Sequence, residues 1–195
     1  MAHHIYHTRG IILGSVPIGE SNRFYKIFTE ELGLVGASAQ SVRKEESKLR
    51  YVLQDFSLIN VDLVRGKEVW RITSAGEEKF FPGIKGDTVR LKLFARMCAL
   101  LSRLIHGEGR EDELFQDLLG ALSFLEQDAI PDELTLSFET LATLRSLVWL
   151  GYLDPGSYER FLEPGMWSRE ILNDFEKIRT SAIPAINAAL HSSQL

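Results

Sequence analysis

The stretch TRGIILGSVPIGESNRFYKIFTEELGL, residues 8–34, contains two runs typical of β-strands on either side of the turn Pro17–Asn22. The first run, Arg9–Val16, is rich in branched apolar residues and ends at a proline, which cannot donate a hydrogen bond to a sheet. The second run, Arg23–Thr29, alternates with a period of two and is enriched in aromatic and branched residues. A third run, Leu34–Val42, follows a glycine. We expect these runs to form a three-stranded meander.

Two further strands are expected downstream of the meander. Ser57–Val64 alternates in hydrophobicity, and Glu68–Thr73 follows it after the polar, glycine-containing turn Arg65–Lys67, which is a hairpin signal. A short helical segment separates the third strand from the fourth. Five strands with this insertion predict a Greek-key barrel of the OB type over residues 1–80. An SH3-like barrel also has five strands, but the helical insertion favours the OB fold.

The periodicity changes beyond Ser74–Gly86, a charged and glycine-rich stretch that we interpret as the boundary between two domains. Apolar residues then recur at about 3.6 positions, which predicts an all-helical domain over residues 81–195 and an α+β fold class overall. Asp87 is expected to cap the first of these helices. Helices are predicted at residues 87–105, 112–125, 131–148, 154–161, 168–179 and 183–190.

Composition and motifs exclude several classes of protein. The 195 residues contain no apolar run near 20 residues, so no transmembrane helix is expected, and the N-terminus lacks a signal-peptide pattern, which predicts a cytoplasmic protein. No nucleophile elbow, P-loop, zinc-protease or dinucleotide motif is present, so we do not expect an enzyme. The one cysteine, Cys98, lies among apolar residues and is expected in a core.

The net charge of -5 conceals an asymmetry between the two predicted domains. Residues 1–80 hold 11 Lys/Arg and 10 Asp/Glu, a balance of +1, whereas residues 81–195 hold 11 and 17, a balance of -6. Nucleic-acid binders usually present a basic face, so binding here would have to come from local patches.

Two such basic patches are present. The first surrounds the loop after the third strand and the second lies on the first helix of the helical domain, where cations share one face. Cations on one face could neutralise phosphates, although a solvated helix face is the alternative interpretation. The residues are Arg43, Lys44, Lys48 and Arg50 in the loop, and Lys92, Arg96 and Arg103 on the helix.

Aromatic residues of the barrel are candidates for stacking on bases, as in other OB folds. Alternation requires about half of them to fill the barrel interior. We expect Phe24 and Phe56 to be core residues, whereas Tyr25, Tyr51 and Trp70 are expected to be partly exposed. Tyr25 and Trp70 are therefore the predicted stacking residues.

The order of several short motifs resembles the bacterial RecO family of recombination mediators. The resemblance rests on Thr8–Leu13, the corner Gly19–Arg23 leading into a strand, and Phe28–Gly33. It continues, through nearly the whole chain, in motifs that are each unspecific. These are Ser47–Leu49, Leu53–Phe56, Arg65–Glu68, Phe138–Leu141 and Leu150–Tyr152.

The resemblance implies a DNA-repair function without catalysis. Its expected activities are to bind single- and double-stranded DNA, to anneal complementary strands, and to load RecA with RecR onto strands coated by single-strand-binding protein (SSB). The expected partners are thus DNA, RecR and the acidic, apolar C-terminal tail of SSB, and the expected location is the cytoplasm, at the nucleoid. DNA would cross the barrel and the first helix, and the tail would bind near Leu100 on the Arg96–Arg103 face.

The chain departs from the family pattern at three places. Many members carry a four-cysteine zinc site, but the corresponding Asp154–Trp167 region has no cysteine, so neither zinc nor another cofactor is expected. The corner ends in Asn22 where an acid is usual. The helical half is acidic, which predicts weaker DNA binding or more reliance on protein partners. The alternative function is that of an OB-fold protein-interaction module without nucleic-acid binding.

Overall fold

The longest strand of the protein, β1 (Ile5–Ile18), organises the barrel because it pairs along both of its edges. In a computed structural model that describes residues 4–127 and 130–193, the first half of β1 pairs with β4 and its second half pairs with β2, both antiparallel. The two pairings overlap at Gly10 and Ile11, and a bulge between Ile12 and Gly14, within the pairing with β2, bends the strand. The other elements of the barrel are β2 (Asn22–Thr29), β3 (Gly33–Ala39), α1 (Leu49–Val52), β4 (Leu58–Arg65) and β5 (Trp70–Lys79).

The strands close into a barrel in the order β1-β2-β3-β5-β4. All neighbours are antiparallel except β3 and β5, which are parallel over a short contact that closes the sheet. This order, with α1 between β3 and β4, is that of the OB fold and confirms the predicted fold class. The barrel interior is filled by alternate side chains of each strand, among them Ile12, Ile27, Val35, Val61 and Leu63.

The fifth strand is longer than the sequence indicated. The fifth strand was expected to end at Thr73, with the domain boundary within Ser74–Gly86, but β5 continues through the first six of these residues to Lys79, which pairs with Leu58. The predicted end at Thr73 was wrong because this exposed part of the strand needs no apolar alternation, and a bulge opposite Asp62 and Leu63 breaks the period of two.

The helical half begins after the barrel, and its first long helix has the predicted cap. Asp87 Oδ1 accepts hydrogen bonds from the backbone N–H groups of Val89, at 2.8 Å, and Arg90, at 3.1 Å. Cys98 is fully buried in this helix, as expected. The helices are α2 (Pro82–Gly86), α3 (Thr88–Leu104), α4 (Asp112–Gln127), α5 (Asp132–Trp149), a 3-10 helix (Gly156–Phe161) and α6 (Arg169–Ser192).

The last helix corrects the predicted division into two helical stretches. α6 is continuous over 24 residues and contains Pro184 within it. A proline removes one backbone hydrogen bond from a helix interior, which is why it suggested an interruption. Buried residues on both sides of it, Phe175 and Ile186, keep the helix packed along its length.

A buried ion pair stands at the centre of the helical half. Arg145 Nη1 donates to Asp117 Oδ1 at 2.7 Å, and both side chains are almost fully buried. Burial raises the pKa of Asp117 to about 6, and the charge of Arg145 opposes that rise. Arg145 also donates to the carbonyl oxygens of Phe161, at 2.6 Å, and Met166, at 2.9 Å, while Trp167 Nε1 donates to Asp117 Oδ1 at 2.9 Å. The pair therefore holds the segment that precedes α6.

The chain divides into two compact units. One comprises the chain up to Phe81 together with His106–Arg110, and the other comprises Pro82–Ile105 and the chain from Glu111 onward. The sequence predicted a boundary between residues 80 and 81. That boundary concerns domains that fold independently of each other, and it remains a prediction. Within the described residues, no helix has both the length and the apolar character needed to span a membrane.

Candidate nucleic-acid interface

The corner between β1 and β2 positions the first of the predicted basic residues. The backbone N–H of Arg43 donates to Ser21 O at 3.0 Å, and Arg43 Nη1 donates to Gly19 O at 3.0 Å. Asn22 Oδ1 accepts a hydrogen bond from the backbone N–H of Ser41 at 2.9 Å, which holds the chain just before Arg43. The corner thus fixes where the basic loop leaves the barrel.

The four predicted loop cations all reach solvent. Arg43, Lys44 and Lys48 lie in the connection between β3 and α1, and Arg50 lies on α1. All four are exposed, as are the neighbouring acids Glu45 and Glu46. The predicted loop patch is therefore an accessible cationic surface that two carboxylates offset in part.

Two of these cations meet at one cleft of the barrel. Arg43 and Arg50 line a cleft of about 280 Å³ together with a third arginine, Arg23, on β2. Val42, Leu53 and Tyr25 complete its lining. We call this site the three-arginine cleft. Three guanidinium groups around one opening favour an anion such as a phosphate, with which arginine makes paired hydrogen bonds.

Arg23 is a site residue that the sequence analysis missed. Its Nε is buried and has no hydrogen-bond partner within the protein, so the guanidinium retains unused donor capacity. Burial raises the pKa of Tyr25 to about 12, with Arg23 opposing the rise and Asp55 adding to it. Its place in the motif Gly19–Arg23 could have identified Arg23 from the sequence, since a cation directly after a turn between two strands lies at one end of the barrel.

The predicted cations of the helical unit are also exposed, but one is partly neutralised. Lys92, Arg96 and Arg103 all reach solvent from α3. Arg96 Nη1 forms an ion pair with Glu139 of α5, and this pairing reduces the charge available to a phosphate. The predicted α3 surface is therefore less cationic than its sequence suggested.

An apolar groove runs beside Arg96 between α3 and α5. A cavity of about 150 Å³ is lined by Leu93, Met97, Leu100 and Phe138, with Arg96 and Glu139 among its polar residues. A neighbouring cavity of about 230 Å³ continues the groove past Val89 and Leu136, which are 40% and 55% exposed, and its lining includes Lys92 and Asp132. The SSB tail was predicted near Leu100 on the Arg96–Arg103 face; Arg96 and Leu100 line the first cavity, whereas Arg103 lines neither.

The structure corrects the predicted stacking residues. Tyr25 and Trp70 were expected to be partly exposed, but they are only 1% and 3% exposed and belong to the barrel core. Trp70 Nε1 donates to Glu108 Oε1 at 2.8 Å, so its polar edge is satisfied inside the barrel unit. Neither ring is open to a base. The period of two separates the faces of a strand but does not say which face is interior.

The other aromatic predictions had mixed outcomes. Tyr51 on α1 is 67% exposed, as expected. Phe24 was expected in the core, but it is half-buried, and the register of β2 places it on the outer face. Lys26 shares the period-two set of Phe24, and its charge was the signal that could have identified that face as the outer one.

No metal-binding cluster accompanies these cations in the part of the chain that the structure describes. Groups of three or more His, Cys, Asp or Glu side chains suited to a metal are absent from residues 4–127 and 130–193. The chemistry that the arrangement can perform is recognition of anions and apolar groups.

Comparison with known proteins identifies the family. Residues 1–78 match the family described as recombination protein O N terminal. A protein named DNA repair protein RecO from Rubrobacter xylanophilus is 32% identical over 123 residues, which are 63% of this chain and 49% of that protein. One of the same name from Heliobacterium modesticaldum is 31% identical over 170 residues, which are 84% of this chain and 60% of that protein.

The chain spans about half the length of the curated relatives that it matches. The match of residues 1–78 covers the barrel almost completely, and the barrel has the strand order that the resemblance implied. Together, the barrel, its basic corner and these similarities show that the chain belongs to the RecO family.

Proposed function

We propose that the chain acts in DNA repair as a recombination mediator of the RecO type, which binds DNA through its barrel and catalyses no reaction. The relatives carry the name DNA repair protein, and the three-arginine cleft is the observation that carries the proposal for this chain. Arg23, Arg43 and Arg50 surround one opening, and Lys44 and Lys48 extend the positive surface beside it.

The proposed contact is with the phosphate backbone, so it does not depend on base sequence. Cations that neutralise phosphates release bound counterions, which supplies most of the binding free energy of a non-specific complex. The same neutralisation lowers the repulsion between two complementary strands, which is the physical requirement of strand annealing. We propose that the chain binds single- and double-stranded DNA in this way and promotes annealing of single strands.

A second part of the proposal concerns proteins. In the RecO role, the chain would act with RecR and help to load RecA onto SSB-coated strands. The groove between α3 and α5 has apolar walls and a rim that holds Lys92 and Arg96, which suits the acidic, apolar tail of SSB. Arg96 forms an ion pair with Glu139 in the free protein, so an anionic tail would replace this carboxylate as the partner of Arg96.

The loop cations provide the test of the proposed DNA binding. Arg50→Gln removes one positive charge from the three-arginine cleft, and we expect it to weaken binding of a labelled single strand several-fold, to a similar extent for different base sequences. Lys177→Gln is the matched control, because Lys177 is an exposed cation of α6 that pairs with Asp174. Fluorescence anisotropy at low salt measures both.

Equal affinities of Arg50→Gln, Lys177→Gln and the unaltered chain would remove the cleft from the interface. Negligible binding by the unaltered chain would favour the alternative class, an OB-fold module that binds a protein partner and no nucleic acid.

A further inference from the structure

A single row of paired residues crosses the outer face of the barrel. Each member faces the member on the next strand, from β1 through β2, β3 and β5 to β4 and back to the start of β1. Paired residues project from the same face of a sheet. We call this set the outer row, and its members in order are Val16, Phe24, Ser38, Arg71, Val64 and Ile5.

The outer row is accessible, and most of its members are apolar. Val16 is 56% exposed, Ile5 is 45% exposed and Arg71 is exposed, while Phe24, Ser38 and Val64 are half-buried. No carboxylate is among its six described members. The apolar members lie on three strands, β1, β2 and β4, and apolar side chains that reach solvent on several strands are unusual on a sheet face that has no partner.

Phe24 extends from β2 across this face toward β3. A Cβ atom added at Gly36 of β3 would be 2.5 Å from Phe24 Cζ, so the ring extends over the neighbouring strand at a position that only glycine leaves free. Lys26 is exposed on β2, two residues from Phe24 and on the same face. An aromatic ring with a cation beside it is the combination with which OB folds hold single strands.

The other end of the outer row opens into a cleft at the β4–β5 hairpin. Its volume is about 500 Å³, and its lining combines Ile5 and Val64 with three cations, Arg65, Lys67 and Arg71. Arg65 already pairs with Glu108 at 3.1 Å and lies over the ring of Trp70, so its position is fixed. Lys67 and Arg71 are exposed at the mouth of the cleft. Apolar walls with a cationic rim match a nucleotide, which has an apolar base face and an anionic phosphate.

We propose that the outer row is a track for single-stranded nucleic acid, on which one base stacks on Phe24 and the next part of the strand enters the cleft at the β4–β5 hairpin. Arg71 lies between the two and neutralises a phosphate there, and Lys67 neutralises another. This inference rests on the proposed DNA binding and deepens it, because it adds base contacts to phosphate contacts. It also assigns the stacking role to a residue other than Tyr25 and Trp70.

The test separates stacking from phosphate binding. Two labelled oligonucleotides of equal length and charge are compared, oligothymidylate and a strand whose central nucleotides are abasic. We expect Phe24→Leu, which keeps an apolar side chain over Gly36 but removes the ring, to weaken binding of oligothymidylate by roughly 5- to 100-fold. The same variant is expected to bind the abasic strand with unchanged affinity.

Two controls accompany this variant. Phe80→Leu changes another exposed phenylalanine of the barrel unit, which is 41% exposed and lies outside the outer row, and is expected to leave both affinities unchanged. Arg71→Gln is expected to weaken the binding of both oligonucleotides. It is also expected to make the slope of log affinity against log salt less steep by about one unit or less.

Equal affinity of the unaltered chain for the two oligonucleotides would overturn the stacking inference and leave the proposed phosphate binding intact. Equal weakening of both by Phe24→Leu would also overturn it, because the loss would then be structural. Absence of binding to either oligonucleotide would instead contradict the proposed function itself.

Discussion

Asn22 shows how a single residue of the corner supports the basic loop. Its side-chain oxygen accepts the backbone N–H of Ser41, a residue with a positive φ of 54°, at 2.9 Å. Arg43 follows two residues later and donates hydrogen bonds to the carbonyl oxygens of Ser21 and Gly19 in the corner. The family resemblance implied an acid at this position, and a carboxylate offers the same acceptor. The corner therefore identifies the family and also places the first arginine of the cleft.

The role of Asn22 can be tested through stability. Asn22→Ala removes the acceptor for Ser41, and we expect the free energy of unfolding to fall by about 1 kcal/mol, the usual worth of one intramolecular hydrogen bond. Asn22→Asp retains the acceptor and is expected to stay within about 0.5 kcal/mol of the unaltered chain. Urea denaturation followed by circular dichroism measures both. A loss of equal size in the two variants would show that the hydrogen bond is not what the corner requires.

At the scale of elements, the ion pair of Asp117 and Arg145 fixes the segment that connects α5 to α6. Arg145 reaches the carbonyl oxygens of Phe161 and Met166, and Asp117 accepts from Trp167. Many family members have a zinc site in the corresponding segment, according to the resemblance described above. In this chain a buried ion pair holds the segment, and the centre of the Trp167 ring lies 4.5 Å from Arg145 Cζ.

The ion pair predicts a large cost for removing one partner alone. Asp117→Ala leaves the charge of Arg145 buried without compensation, and we expect the free energy of unfolding to fall by roughly 3–5 kcal/mol. The double variant Asp117→Leu with Arg145→Met removes both charges and is expected to recover most of that loss. Chemical denaturation followed by tryptophan fluorescence makes the comparison. A single variant that loses less than about 1 kcal/mol would contradict this role of the pair.

The elements that the sequence predicted well are those in which burial and periodicity agree. β2 and α3 were predicted to within one or two residues, because each has one buried face and a clear terminal signal, a turn for β2 and Asp87 for α3. β5 and α6 were predicted less well. The exposed end of β5 needs no alternation, and packing on both sides of Pro184 overrides the local preference of that proline.

The candidate site could be predicted only in part. Charge and exposure were correct for the loop, since long cationic side chains are rarely buried without partners. The choice between Tyr25 and Phe24 depends on which face of β2 is interior, and alternation alone does not decide that. Arg23 belongs to the site because β2 lies beside the loop and α1 in the folded barrel. These segments are distant in sequence. The pairing of Arg96 with Glu139 depends likewise on two helices meeting.

At the scale of the whole molecule, the distribution of charge determines how the chain could bind DNA. The chain is acidic, with a net charge of -5, yet its barrel unit presents the three-arginine cleft and the exposed loop cations. An acidic chain that binds DNA must therefore do so through a few local phosphate contacts. Such a complex is weakened by salt to a degree that reports the number of contacts.

Salt dependence of single-strand binding by the unaltered chain is the most direct test. The contacts are drawn from Arg23, Arg43, Lys44, Lys48 and Arg50 and, where the outer row also takes part, from Lys67 and Arg71. At about 0.7 per contact, we expect log affinity to fall linearly with log salt, with a slope between about -2 and -5. Anisotropy of a labelled oligonucleotide, titrated at several salt concentrations, measures this slope. A slope near zero, or no binding at the lowest salt concentration, would contradict the account.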